Sequence, residues 1–157
     1  MSLRADRRRM AEALRLAEAG QGRTGANPSV GCVICDRDGH VIAAARTGDG
    51  GRPHAEESAL EGLGSRADGG TAYVTLEPCR QRSTGSPSCS ERLLAAGIAR
   101  VVVAIADEHP QGAGGNDRLQ AAGVRVSLGL KQAYAARLYR DFFEHAKTAE
   151  ASQGDKI

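Results

Sequence analysis

A histidine and a glutamate stand two positions apart in the stretch GGRPHAEESAL, directly after a proline. His54 offers an imidazole that can bind a metal, and Glu56 offers a carboxylate that can carry a proton. Pro53 suits the first residues of a helix. On a helix that starts at His54, Glu56 lies off the face of the metal ligand, because residues two apart do not share a face. We therefore expect Glu56 to act beside a ligand, the simpler alternative being an exposed pair without function.

Two cysteines further along the chain complete a set of zinc-binding residue types. Cys79 follows Pro78 in TLEPC, and Cys89 ends the segment CRQRSTGSPSC. A cysteine at a helix start is readily held as a thiolate, because helix N-termini favour negative charge. Two thiolates and one imidazole leave the fourth position of tetrahedral Zn²⁺ open to water, which is typical of catalytic zinc. The sequence thus predicts zinc held by His54, Cys79 and Cys89. Two thiolates neutralise the ion, so a carboxylate is needed to take the proton of the water, and we assign that role to Glu56.

The remaining cysteines and histidines receive separate interpretations. Cys32 and Cys35 form CVIC, a spacing found in many metal sites. In a strand, however, positions three apart point to opposite faces, so we place both in the core. His40 and His145 are expected on the surface. His109 lies in a loop after the fourth predicted strand, where open α/β sheets place ligands, and is a candidate substrate contact.

The elements that must position these residues alternate along the chain. Apolar periodicity predicts a first helix from Arg4 to Ala19 and a closing helix from Leu130 to Glu150. Between them, a hairpin turns at Asp36 to Gly39, and a short helix runs from Ala55 to about Leu63. A third strand follows. After it come two similar units, each of which is a helix that ends at a glycine and leads into a strand. We therefore predict an α/β fold, a three-layer α/β/α domain with a five-stranded mixed sheet and helices on both faces.

Length and composition limit the alternatives. The 157 residues suit one domain, which we assign to residues 1–149, with residues 150–157 as a polar tail that we expect to be disordered. The net charge of +2 indicates neither a nucleic-acid nor a membrane partner. The charged N-terminus resembles neither a signal peptide nor a membrane helix, so a cytoplasmic location is expected, and the four cysteines favour metal binding or burial over disulfides. The basic RADRRRM segment is best explained as the outer face of the first helix.

The order of H-x-E, P-C and a second cysteine resembles the signature of the zinc-dependent cytidine deaminase superfamily. The finer resemblance is to the deaminase domain of riboflavin-biosynthesis enzymes. It extends from about Arg8 to Leu128 through NPSVGCVI, GGRPHAEESAL, AYVTLEPC and ARVVVAIAD. Those enzymes often continue into a reductase domain, whereas this sequence stops, so the expectation is a free-standing deaminase or one with a changed substrate.

The resemblance implies a function and a set of partners. It implies the cytidine-deaminase-like fold. It also implies hydrolytic deamination of an amino-pyrimidine, with diaminohydroxyphosphoribosylaminopyrimidine as the substrate. In this family an asparagine at the position of Asn27 lines the pocket and contacts the base; a mere turn residue is the alternative, because Asn-Pro is a common turn dipeptide. The family also implies a homo-oligomer, either a dimer or a tetramer.

The segment between the ligand cysteines departs from the commoner superfamily spacing of P-C-x-x-C, because nine residues separate Cys79 from Cys89. Many riboflavin-type deaminases carry a histidine-rich segment here, which this chain replaces with Arg80, Gln81 and Arg82. Guanidinium groups suit phosphate, and hydroxyl groups can add donors. We therefore name as phosphate-binding candidates Arg80, Arg82, Ser83 and Thr84. A solvated loop is the alternative.

Two other functions stay open. The same chemistry could act on a free nucleobase, a nucleoside or a tRNA base, although an aromatic content of 3% argues against RNA, whose unpaired bases are commonly stacked on aromatic rings. A non-catalytic, zinc-stabilised binding module would need a fourth protein ligand. The sequence offers none at a convincing spacing.

Overall fold

The elements alternate as the sequence predicts. The computed structural model describes the backbone of residues 2–154 and the side chains of residues 2–149. Five helices and five strands make up the described part of the chain, apart from short 3₁₀ turns at Asp49–Gly51 and Gly64–Ala67: α1 (Leu3–Ala19), β1 (Gly31–Cys35), β2 (Val41–Arg46), α2 (Ala55–Leu60), β3 (Thr71–Leu76), α3 (Cys89–Ala95), β4 (Arg100–Ile105), α4 (Gly115–Ala121), β5 (Arg125–Leu128) and α5 (Gln132–Gly154).

The strands form one mixed sheet in the order β2-β1-β3-β4-β5. Strand β1 is antiparallel to both β2 and β3, whereas β3, β4 and β5 run parallel. The two parallel connections pass through α3 and α4, and each helix is followed two residues later by a glycine with positive φ, Gly97 or Gly123. The carboxyl ends of the three parallel strands therefore meet at one edge of the sheet, where ligands bind in open α/β folds.

Two apolar cores lie on opposite faces of the sheet, and together they make three layers. One core packs α1 and α5 on the sheet through residues such as Leu14 and Tyr139. The other packs α2, α3 and α4 through residues such as Leu93. Cys32 belongs to the second core and Cys35 to the first, and both are fully buried. The prediction that CVIC is a strand with both cysteines in the core is confirmed.

A buried ion pair ties α1 to the sheet. The guanidinium of Arg100 donates two hydrogen bonds to the carboxylate of Asp6, at 2.9 and 2.6 Å, and the Tyr73 hydroxyl donates a third at 2.7 Å. Asp6 is only 6% exposed. Chiefly through the hydrogen bonds from Arg100, the pKa of Asp6 lies below its ordinary value despite burial.

A second polar chain fixes α5 against β1 and β3. The Tyr139 hydroxyl donates to the carbonyl oxygen of Ser29 at 2.8 Å and lies 2.6 Å from the hydroxyl of Thr75, which accepts a hydrogen bond from the Gly31 N–H at 3.0 Å. Glycine is required at position 31, because a Cβ there would overlap the carbonyl oxygen of Ala13 in α1. Helices α1 and α5 are thereby held close to the strand that precedes the site.

Some predicted boundaries were wrong. Helix α2 ends at Leu60 and not at Leu63, because the chain turns through Gly62, whose φ is +73°. Helix α5 continues to Gly154, so residues 151–154 of the predicted tail are helical, and residues 155–157 lie outside the described part of the chain. Within the described residues, no helix is both long enough and apolar enough to cross a bilayer. The division into a domain at 1–149 and a tail stays a prediction.

Candidate active site

Three elements bring the predicted metal ligands together. His54 caps the N-terminus of α2, Cys79 lies in the loop after β3, and Cys89 is the first residue of α3. The start of α3 is held by a capping box, in which the Ser88 hydroxyl accepts the Glu91 N–H and the Glu91 carboxylate accepts the Ser88 N–H. Of the two cysteines, only Cys89 therefore begins a helix.

The ligand atoms of these residues fit one small cation. The nitrogen and the two sulfurs all lie within 4.8 Å of one another. His54 Nδ1 is 3.4 Å from Cys89 Sγ and 3.9 Å from Cys79 Sγ. The backbone N–H of Cys89 donates to Cys79 Sγ at 3.2 Å. Neither Cys32 nor Cys35 belongs to this group.

The electrostatics of the two thiols also suit a cation. A hydrogen bond from the Cys89 thiol holds the pKa of Cys79 well below its ordinary value, and hydrogen bonds from His54 and from the Cys89 N–H act in the same direction. The same hydrogen bond, together with burial, raises the pKa of Cys89. The two sulfurs are thus close enough to each other and to the imidazole to share one cation. A set of one imidazole and two thiolates is a zinc-binding set.

Glu56 lies beside the ligands in the first turn of α2. Its side chain is only 3% exposed and lines the same cavity as His54 and Cys79. Burial raises the pKa of its carboxyl group, and a hydrogen bond with Cys89 opposes the rise. Glu56 does not belong to the group of ligand atoms that could hold one ion. Glu56 thus lies next to the three ligand residues, and its role as a proton carrier stays a prediction.

A cavity of about 310 Å³ opens onto the ligands at the carboxyl edge of the sheet. This volume is within the range of small-molecule sites. Besides the metal-site residues, its walls include side chains from four loops and from α5: Asn27, Arg52, Arg82, Ser83, Asp107 and Phe142. Of the sequence-predicted substrate residues, His109 also lines it.

Asn27 occupies the wall of the cavity that faces the loop before α2. Its side-chain amide donates to the carbonyl oxygen of Gly51 at 3.0 Å. A Cβ at Gly51, whose φ is +99°, would overlap this amide, so the close approach requires glycine. Asn27 therefore has both a place in the cavity and a structural bond to the loop that ends at His54.

The loop between the cysteines differs from the prediction. Ser83 and Arg82 line the cavity, but Arg80 and Thr84 do not. The backbone N–H of Arg80 donates to the carbonyl oxygen of Gly112 at 3.3 Å, and its side chain lies against Gly114. Arg80 and Thr84 thus lie outside the lining of the cavity.

Arg82 reaches the cavity but is already paired. Its side chain is 5% exposed and donates to both carboxylate oxygens of Glu57, at 3.2 and 3.4 Å. Glu57 also binds the Arg92 guanidinium, at 3.1 Å. The charge of Arg82 is therefore met by a residue next to Glu56 on α2, and its role in holding the loop was not apparent from the sequence.

His109 and Phe142 form another part of the wall. Their rings stack with centroids 5.9 Å apart and an interplanar angle of 18°. Phe142 was not identified from the sequence, because helical periodicity indicates which face of α5 is apolar but not which loop that face meets. His40 and His145 are exposed, as expected.

Glu77, in TLEPC, is a residue whose importance the sequence analysis missed. It is 8% exposed, and its carboxylate accepts backbone N–H groups from Asp107 at 3.0 Å, Gly114 at 3.2 Å and Asn116 at 2.9 Å. These bonds fold the loop after β4 around the cavity, where burial raises the pKa of Asp107 to about 6. The sequence did contain a signal for this role, because Glu77 directly follows an apolar strand that is predicted to be buried. A buried carboxylate needs several hydrogen-bond donors.

Comparison with known proteins agrees with this geometry. Residues 3–105 match the family described as the cytidine and deoxycytidylate deaminase zinc-binding region. The chain is 46% identical to riboflavin biosynthesis protein RibD of Escherichia coli over 140 residues, which are 88% of this chain and 38% of that protein. It is 37% identical, also over 140 residues, to the diaminohydroxyphosphoribosylamino-pyrimidine deaminase of Buchnera aphidicola from Acyrthosiphon pisum, covering 88% of this chain and 94% of that protein.

Solved structures show the same relationship. RibD of Acinetobacter baumannii superimposes with a TM-score of 0.84 at 40% identity, over 94% of this chain and 41% of that protein. The chain thus spans about two fifths of the length of the RibD proteins and nearly the whole of the Buchnera deaminase. The fold is the cytidine-deaminase-like fold that the sequence predicted. The chain therefore belongs to the zinc-binding cytidine and deoxycytidylate deaminase family and, within it, to the group that includes the diaminohydroxyphosphoribosylamino-pyrimidine deaminases.

Proposed function

We propose that this protein hydrolytically deaminates diaminohydroxyphosphoribosylaminopyrimidine, an intermediate of riboflavin biosynthesis. The observation that carries the proposal is a buried carboxylate, Glu56, beside a three-residue zinc-binding group at the floor of a cavity of small-molecule size. The substrate is the one in the name of the Buchnera relative, most of whose length this chain covers.

The chain's own residues account for the proton transfers. His54, Cys79 and Cys89 would hold zinc, which when bound supplies Lewis acidity to the attacking water. Glu56 accepts a proton from this water as its oxygen bonds to the amine-bearing ring carbon, and passes the proton to the adjacent ring nitrogen. Glu56 then takes the remaining proton of the added hydroxyl group and gives it to the amino group, which leaves as ammonia when the C–N bond breaks and the C=O bond forms. The products are the oxo-pyrimidine and ammonia.

A non-catalytic zinc module is the less suitable interpretation. It would need a fourth protein ligand, and among the residues whose side chains are described the group around His54 has three members. The exposed group Asp36, Asp38 and His40 is a hairpin turn, in which the Asp36 carboxylate accepts the N–H groups of the other two residues.

Ammonia release over a substrate panel tests the proposed function. We expect the zinc-loaded protein to have its highest kcat/KM with diaminohydroxyphosphoribosylaminopyrimidine. The panel should also contain cytosine, guanine, cytidine, deoxycytidylate and an RNA hairpin with an unpaired adenosine. A higher kcat/KM with any of these would replace the proposed substrate by a free base, a nucleoside, a nucleotide or a tRNA base, while leaving the deaminase chemistry in place.

We further propose that the protein is a homo-oligomer, a dimer or a tetramer. Family membership supports this proposal, as does a groove between α2 and α3 whose walls include the apolar side chains of Leu60, Leu63 and Leu94. Light scattering coupled to size-exclusion chromatography measures the mass in solution. A mass of one 16.4 kDa chain at micromolar concentration would contradict the proposal.

A further inference from the structure

Two arginines, Arg52 and Arg82, line the cavity, and only one of them is paired with a carboxylate. Arg82 is paired with Glu57 and nearly buried. Arg52 is exposed, and among the residues whose side chains are described its guanidinium has no hydrogen bond or ion pair. Arg82 keeps a buried Nε without a hydrogen-bond partner, but its charge is balanced by Glu57. Arg52 is therefore the lining arginine without a carboxylate partner.

The position of Arg52 relates it to the chemistry. It stands two residues before His54, on the loop that delivers this ligand to the metal site. Both residues line the cavity, but Glu56 is only 3% exposed, whereas Arg52 is solvent-exposed. A ligand that extends from Glu56 towards Arg52 thus passes from a buried acid–base group to an open cationic one.

The backbone on either side of Arg52 is anchored. The N–H of Gly48 donates to the carbonyl oxygen of Pro53 at 3.0 Å, which closes the loop around Arg52. The Asn27 amide donates to the carbonyl oxygen of Gly51 at 3.0 Å. These bonds restrain the backbone on both sides of Arg52, so little further backbone freedom is lost when its guanidinium binds a ligand.

We propose that Arg52 binds the phosphate of the substrate and makes the enzyme prefer the phosphorylated pyrimidine over its riboside. A guanidinium pairs with phosphate through two parallel N–H donors, which a single ammonium group does not provide. The proposed substrate has the matching asymmetry, because its reacting amino group is on the ring and its phosphate is at the far end of the ribose. This inference rests on the proposed function and assigns to Arg52 the role that the sequence analysis gave to Arg80 and Arg82.

The test compares kcat/KM for diaminohydroxyphosphoribosylaminopyrimidine with kcat/KM for its dephosphorylated riboside. Arg52→Ala should lower the ratio of these two values by about tenfold or more, mainly through KM, as expected for a lost charge-assisted hydrogen bond. Arg52→Lys should restore only part of the ratio, because it keeps the charge but not the fork. Arg80→Ala is the matched control, since Arg80 is also exposed but lies outside the cavity, and it should leave the ratio unchanged.

A binding measurement separates failure of the inference from failure of the proposed function. Calorimetry with ribose 5-phosphate should show weaker binding to Arg52→Ala than to the wild type and to Arg80→Ala. If the wild type deaminates the phosphorylated pyrimidine but Arg52→Ala keeps the wild-type ratio, the proposed function stands and the role of Arg52 is wrong. If the wild type deaminates neither pyrimidine, the proposed function fails, and Arg52-dependent binding of ribose 5-phosphate alone decides whether the anion site exists.

Discussion

Cys89 couples metal binding to the start of α3, because the residue that offers the sulfur is also the first residue of the helix. Cys89→Ala should reduce the zinc content from about one ion per chain to near zero and lower the free energy of unfolding, since ligand binding at such a site is coupled to folding. Cys32→Ala is the matched control, because Cys32 lies in the core and outside the ligand group. Metal analysis and urea unfolding provide the two measurements. A Cys89→Ala protein with full zinc content would refute the ligand assignment.

Glu77 holds the loop after β4 through one carboxylate and three backbone donors. Glu77→Gln should free part of this loop, because the NH₂ group of glutamine cannot accept the backbone N–H groups that one carboxylate oxygen of Glu77 accepts. The expected loss in the free energy of unfolding is about 1–3 kcal/mol. Hydrogen exchange at Asp107, Gly114 and Asn116 should accelerate, and KM for the substrate should rise. In contrast, Glu61→Gln on the surface should change neither. Unchanged exchange at all three amides in the Glu77 variant would show that the carboxylate does not hold the loop.

The ends of helices and strands could be predicted from the sequence where residues close to the end determine it. The hairpin turn at Asp36 and the helix ends before Gly97 and Gly123 follow from side-chain acceptors and left-handed glycines within a few residues. The end of α2 was misplaced, because its periodicity continues past Leu60 while the backbone turns at Gly62. A helix end that is determined by one glycine is therefore hard to predict from the spacing of apolar residues.

The anchoring of α1 by Asp6 predicts how stability depends on pH. The folded pKa of Asp6 is lowered, so its contribution is fully present above its unfolded pKa of about 3.9 and is lost as pH falls through the lower folded value. Asp6→Asn should therefore cost about 3 kcal/mol near neutral pH, because it leaves the Arg100 guanidinium without its buried partner. The difference from the wild type should shrink below about pH 4. Urea unfolding at several pH values measures it, with Asp38→Asn in the exposed turn as control. A difference that does not change with pH would contradict this account.

Helix α5 contributes a wall to the cavity through Phe142, which stacks on His109. Phe142→Ala should remove this support and raise KM by about tenfold, the effect of losing an aromatic contact of about 1 kcal/mol together with the buried area of the ring. Tyr134→Ala is a suitable control, because Tyr134 lies on the same helix but is exposed and outside the cavity. Steady-state kinetics of both variants provide the comparison. Equal KM values for the two variants would remove α5 from the substrate site.

At the scale of the whole molecule, the sequence could identify the metal site because its residue types are rare and ordered. His54 follows β2, whereas Cys79 and Cys89 follow β3, yet the fold brings all three side chains together. Interactions between common residue types could not be identified in the same way. The pairing of Arg82 with Glu57, which leaves Arg52 as the lining arginine without a carboxylate partner, depends on how α2 meets the loop between the cysteines. Such a pairing has no local pattern, and only the assembled fold reveals it.

In the proposed zinc-dependent deamination, Glu56 carries the protons. The most direct measurement is ammonia release from diaminohydroxyphosphoribosylaminopyrimidine by wild-type protein and by Glu56→Gln, with zinc content determined on the same samples. The account predicts about one zinc per chain in both proteins and a kcat lower by ~10² to 10⁴-fold in the variant, the range typical of general acid–base catalysis. A zinc-loaded Glu56→Gln protein with wild-type kcat, or a zinc-loaded wild type that releases no ammonia, would contradict it.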